Sequence, residues 1–202
     1  SSRCSILTPE EMIAGASALG LDAVAVTEHG THDGARLAYR LGQEMGFPVF
    51  RGIEVCTPEG DMIVFGSEEE FGPELDFREL LELVEGDGGL IVAAHPTRGY
   101  WGHRRKYKGF PSREALRCVH AIEVLNGGCS RQQNGLAAEM ASRLGLPGVG
   151  GSDAHALDEL GSCLTLLAEP ARDEGELVAM IKAGWCRPAY RDEIQGGKYA
   201  PA

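Results

Sequence analysis

The 202-residue chain has no C-x-x-C pair; its six cysteines stand apart at 4, 56, 118, 129, 163 and 186. That scatter excludes a disulfide framework and fits reduced thiols in a cytoplasmic protein. No apolar run approaches membrane-spanning length, so no membrane partner is expected. No basic start followed by an apolar region is visible, so no secretory signal can be read. Positive charge is scarce: 19 Lys and Arg against 30 Asp and Glu leave a net charge of −11. That balance argues against an extended nucleic-acid duplex held through net charge. No linker, low-complexity run or short repeat divides the chain. One domain is therefore expected over residues 1–190, with "RDEIQGGKYAPA" at 191–202 as a loosely ordered tail.

What is present is alternation. Apolar runs at 22–27, 47–55, 61–66, 89–95, 120–126, 146–151 and 161–167 read as strands. Helical patterns at 8–19, 34–45, 77–85, 131–144 and 174–183 lie between most of them. The first helix carries its own start signal: Thr8 as cap, Pro9 at the first position and Glu11 three after the cap. The turn "TPEG" pairs the 61–66 strand with its predecessor. Short Val- and Ile-rich strands separated by helices predict a parallel sheet covered by helices.

Polar residues then fall at strand ends. His29 closes the first strand, Glu54 lies near the end of the second and His95 ends the fourth. Glu123 and Asn126 lie on the fifth, while Asp153 and His155 follow the sixth. In barrels of parallel strands, catalytic groups gather where the strands end. Imidazoles with carboxylates form a ligand set for Zn, Mn or Fe ions that needs no thiolate. A carboxylate shared by two metals roughly 3.5–4 Å apart suits phosphoryl chemistry. Each residue alone has a plain structural reading. A lone strand-end His is commonly hydrogen-bonded in place, and Asp153 after Gly-Gly-Ser could cap a helix. Glu54 in an apolar strand resists that reading, because an unpaired buried carboxylate is costly. His32 and His103 read as surface residues, and His120 as structural.

From Gly88 to Arg113 there is no acidic residue, in a protein of net charge −11. The segment leaves the strand end bearing His95 and carries Arg98, Arg104, Arg105, Lys106, Lys108 and Arg113. A basic loop over a metal rim suits a phosphate, and Tyr100, Trp101 and Tyr107 could stack on a base.

"VTEHG", "RGIEV", "AAHPTR", "AIEVLNG" and "GVGGSDAH" together resemble, in order and spacing, the motifs of the PHP (polymerase and histidinol phosphatase) family. The resemblance implies a distorted (β/α)7 TIM-like barrel and two or three divalent metals, Zn, Mn or Fe rather than Mg. It implies His29, Glu54, His95, Asp153 and His155 as ligands, with Glu54 bridging, and Arg98 as a catalytic phosphate contact. Tyr100, Trp101, Arg104 and Arg105 become substrate-binding candidates. Three departures stand out. "SSRCS" resembles the turn that follows the family's His-x-His, which places that motif and its strand upstream of Ser1. Ser5 stands where the family often has an Asp or His ligand. Asp61 stands where it often has a His and remains a candidate ligand. The strand at 22–27 is then expected to lack one neighbour. The implied activity is hydrolysis of a phosphate ester, a phosphorylated small molecule, nucleotide or short oligonucleotide, by metal-activated water. The alternative is a degenerate barrel that binds a ligand or partner without catalysis.

Overall fold

A computed structural model describes residues 6–72, 75–98 and 111–194. Helix α1 (Pro9–Ala18) begins where the sequence signals it: Thr8 accepts from the Glu11 amide, and the Glu11 side chain reaches back to the Thr8 amide. Strand β1 (Val24–His29) runs parallel to β2 (Val49–Thr57), with helix α2 (Asp33–Met45) between them in sequence. The α2 face toward the sheet carries Ala35, Ala38 and Gly42, small residues that let helix and strand approach closely. β2 turns through Thr57, whose hydroxyl donates to the Gly60 carbonyl at 2.8 Å, into antiparallel β3 (Gly60–Phe65).

The parallel reading fails at this hairpin. β3 is antiparallel to both β2 and β4 (Leu90–Ala93), so the six-stranded sheet β1-β2-β3-β4-β5-β6 is mixed. Parallel order resumes with β5 (Ala121–Asn126) and β6 (Gly148–Gly151). The last strands, β7 (Cys163–Leu167) and β8 (Cys186–Tyr190), form a separate antiparallel pair. That pair is tied to β6 by Thr165, whose hydroxyl donates to the Gly150 carbonyl and accepts from the Gly150 amide. The described residues thus form a curled half-barrel with a flanking two-stranded sheet.

Helices α3 (Phe77–Gly86) and α5 (Arg131–Leu144) cover one face of the sheet over a core that includes Ile53, Val64, Leu80, Ile91 and Ile122. Helix α6 (Glu174–Lys182) packs Leu177, Val178 and Ile181 against Phe50, Phe65 and Val92 on the other. A short helix, α4 (Arg113–Leu116), precedes β5. Strand β1 pairs only with β2 among the described residues. A cleft of about 1160 Å³ is lined by β1, Ser152 to His155 and much of β7. One further expectation changes. His32 is buried, not exposed, with Nε2 3.1 Å from the Glu69 carbonyl. Residues 191–193 form a tight turn paired to Arg131, at 2.9 Å from Asp192 and 2.8 Å from Glu193. No helix among the described residues is long and apolar enough to cross a membrane.

Candidate metal centre

The register of the sheet brings the candidate ligands to one rim. His29 ends β1 directly opposite Glu54 on β2. Because β3 runs antiparallel, its first residues lie at the end where β2 finishes, and Asp61 pairs with Cys56 there. The Ala94 amide, just past β4, donates to the Asp61 carbonyl at 3.0 Å and brings His95 alongside. Antiparallel β3 therefore delivers Asp61 to the rim from its beginning, where the parallel strands deliver their ends.

Glu54 stands at the centre. One carboxylate oxygen lies 3.5 Å from His29 Nε2 and the other 3.4 Å from His95 Nε2. Donor atoms of Glu54, Asp61 and His95 all lie within 4.8 Å of one another. Burial pushes the Glu54 carboxyl up, but the hydrogen bond and charge of His95, with His29 and Arg98, hold it below the usual carboxylate range. Burial pushes His95 down, yet Glu54 and Glu123 outweigh it and raise the imidazole. A divalent cation would balance the carboxylate and take these nitrogen and oxygen atoms as ligands.

The second half of the rim is built from β5 and the segment after β6. Asp153 does not cap a helix: the 3-10 turn at Leu157–Glu159 starts after Ala156. Its carboxylate instead takes the Arg98 guanidinium at 2.5 Å. His155 Nδ1 lies 2.8 Å from the Asp153 carbonyl and 3.8 Å from its Oδ1. The Ile6 amide donates to the His155 carbonyl, so the first described residues end beside this rim. Arg98 lies over Gly128, where a Cβ would collide with its Nη2. Burial opposes the charge on Arg98, and Asp153 more than restores it, raising its pKa.

His95 and Asp153 share a further property. Among the described residues they alone combine a side chain with positive φ, 29° and 49°. Such conformations cost of order 1–3 kcal/mol and persist only where surrounding structure enforces them, most often at functional sites. His29, Glu54, His95, Asp153 and His155 all line the same cleft beside β1. Tyr100, Trp101, Arg104 and Arg105, with the rest of the basic loop, lie outside the described residues, as does Ser5. Glu28, in the "VTEHG" motif, turns away to helix α2 and accepts from the Gly34 amide at 3.0 Å. His120 accepts from the Ile91 amide at 3.0 Å, a structural role.

Glu123 has a larger part than its sequence suggested. It is 5% exposed, and burial raises its carboxyl to about 7 although His95 and Asn126 pull it down.

Residues 131–186, which include Asp153 and His155, match a family model described as PHP-associated. The resemblance to the PHP family holds. Two proteins of Methanocaldococcus jannaschii, MJ1587 and MJ0417, both described as uncharacterized, are 33% identical over 92 residues and 34% identical over 122. Those alignments cover 46% and 58% of this chain, and 54% and 51% of the relatives. The chain thus spans about half the length of the curated relatives it matches. Among solved structures, a protein from Bifidobacterium adolescentis assigned as a metal-dependent phosphoesterase superposes with a TM-score of 0.64. It is 19% identical, over 89% of this chain and 91% of that one. PsfC from Pseudomonas syringae superposes with a TM-score of 0.67 at 23% identity, over 90% and 82% of the two chains. The lesion-specific endonuclease EndoQ of Pyrococcus furiosus does so at 0.60 and 16% identity, over 93% of this chain and 55% of that one. At these identities the likeness is one of fold, the PHP-type half-barrel.

Proposed function

We infer that the chain is a metal-dependent phosphoester hydrolase whose metals rest on His29, Glu54, Asp61, His95, Asp153 and His155. One observation carries this reading: each oxygen of buried Glu54 faces a different imidazole, with Asp61 in reach. That is the arrangement of a carboxylate shared between two cations. Two or three Zn, Mn or Fe ions fit the donors better than Mg, which prefers oxygen ligands and water. Bound there, such ions would activate water and neutralise charge on a phosphoryl group. The chain's own residues do the rest. Glu54 supplies negative charge to both halves of the rim. His95 and His29 would offer neutral ring nitrogens to a cation. Arg98, freed from Asp153, offers a two-pronged donor to phosphate oxygens. Tyr100, Trp101, Arg104 and Arg105 would hold the remainder of a phosphorylated small molecule or nucleotide.

The named activities of the structural relatives, a phosphoesterase and a lesion-specific endonuclease, are consistent with this substrate class. The cysteines, scattered along the sequence with no C-x-x-C pair, fit a cytoplasmic setting. The Arg98–Asp153 pair favours a second reading, a barrel that binds an anion without turning it over. Metal analysis of the protein, followed by a panel of phosphate esters with and without chelator, separates the two. Chelator-sensitive release of phosphate supports the hydrolase; binding of phosphate with no turnover on any ester supports the second reading.

A further inference from the structure

We propose that Glu123 and Asn126 are positioning residues that hold His95 and Asp153 in their strained backbone conformations and so preform half of the metal rim. The role rests on the metal reading above. The two residues are three apart on β5, and strand side chains alternate faces, so they should point to opposite sides. They do not, because β5 carries a bulge. Glu123 pairs with Val149 while Leu125 pairs with Gly150, so two steps on β5 match one on β6. The extra residue, Val124, turns Asn126 to the side of Glu123, and Asn126 Nδ2 donates to Glu123 Oε2 at 3.0 Å. Bulges recur beside active sites because they re-aim a side chain in this way.

The same Glu123 oxygen accepts the His95 backbone N–H at 2.8 Å. This is the amide of a residue at φ 29°, and the bond fixes the peptide that sets where its imidazole points. Asn126 Nδ2 also lies 3.4 Å from Asp153 Oδ2, across the same cleft. Room for Glu123 comes from Gly151, where a Cβ would sit 2.7 Å from Oε1. Asn126 cannot rotate away. Its Oδ1 accepts from the Gly128 amide at 2.9 Å, and its backbone exchanges bonds with the Asn134 side chain at 3.1 and 3.2 Å. Asn134 in turn donates to the Tyr190 hydroxyl at 2.9 Å. A chain of buried amides thus runs from α5 and β8 through Asn126 and Glu123 to the backbone of His95. None of these groups reaches the Glu54 side chain directly, so their effect on a cation is through the ligands they orient.

The test uses two variants of similar shape, only one of which removes the acceptor. Glu123→Gln retains an oxygen for the His95 amide; Glu123→Met fills the same volume without one. Mn²⁺ titration calorimetry should give near-wild-type affinity for Glu123→Gln and a loss of roughly 10–100-fold for Glu123→Met. Hydrogen exchange of the His95 amide in metal-free protein supplies a readout that needs no cation. Protection should survive in Glu123→Gln and fall at least tenfold in Glu123→Met, while amides of α3 keep theirs. Asn126→Leu should weaken Mn²⁺ binding in the same direction. Lost His95 protection with unchanged Mn²⁺ affinity would overturn the positioning role alone. Unchanged protection in Glu123→Met would overturn the hydrogen-bond route. Wild-type protein that takes up no Mn²⁺ would overturn the metal reading and this role together.

Discussion

The two halves of the rim are built differently. Around β5 and β6, buried Glu123, Asn126 and Asn134 form one network that ends on the Tyr190 hydroxyl, and two ligand candidates sit in strained conformations. Around β1, His29 is 41% exposed at its side chain, its strand has a free edge among the described residues, and an open cleft adjoins it. Glu54 belongs to both, with one oxygen toward each half. The difference teaches that site geometry is enforced on one side and left open on the other. Buried polar networks rigidify only when every member is satisfied, and among the described residues no buried side-chain polar atom lacks a partner.

The sharpest way to break the comparison is to remove what the halves share. Glu54→Gln keeps shape and removes charge from both, so phosphoester turnover should fall by orders of magnitude with the fold intact by circular dichroism. Near-wild-type turnover would refute the shared role. Next, His95→Ala should weaken Mn²⁺ binding more than His29→Ala, because His95 is 11% exposed at its side chain and backed by Glu123. Equal losses in calorimetry would erase the distinction between the halves.

Stability should follow the same divide. Ile122, fully buried on β5, should cost about 2–5 kcal/mol when truncated to Ala. Val26, on the open strand β1, should cost about 1 kcal/mol by urea denaturation. Reversal of that order would mean the β1 side is the better packed.

A pH series on metal-free protein probes the charges. Glu123 titrates at about 7 when folded against about 4.3 unfolded, so between these values the folded state holds an extra proton and stability falls as pH rises. His95 is raised, so its contribution is complete below about 6.5 and is lost as pH rises through its folded value. Glu54 is depressed; its contribution is present above about 4.3 and lost on acidification. Melting temperature in chelator should therefore peak near pH 5 and decline toward pH 8, and divalent metal should restore it at the alkaline end. A flat profile would dissociate these groups from folding. The smallest effect is expected from Arg98→Lys, which keeps charge but loses the fork. KM for a phosphate ester should rise about fivefold, the worth of one charged hydrogen bond, with metal content unchanged.

Much of the sheet was legible because apolar runs bounded by turn residues leave little freedom. β1, β2, β4 and β5 begin and end within two residues of their apolar runs. Parallel order holds on either side of β3 but not at it. Nothing in "DMIVFG" says that its second neighbour also runs the other way, since both faces of β3 are apolar in either direction. β8 escaped notice because "CRPAY" holds a proline, a residue tolerated only at positions that need no ladder donor. His32 looked like a loop residue, and only the return of the chain at Glu69 buries it. Glu123 and Asn126 were visible on a strand but not as partners, because a bulge cannot be inferred from period-two alternation. The strand-end ligands could be read one by one, since each stands beside an apolar run. Their pairing through Glu54 depends on register, which is a property of the folded sheet.

The central claim is a cation seated on Glu54. Crystals grown with Zn²⁺ and measured across its absorption edge would locate such an ion directly. An anomalous peak should stand about 2.0–2.2 Å from Glu54 and His95, with Arg98 drawn off Asp153. No peak at this rim, or a peak elsewhere with Glu54 still held between His29 and His95, would contradict it.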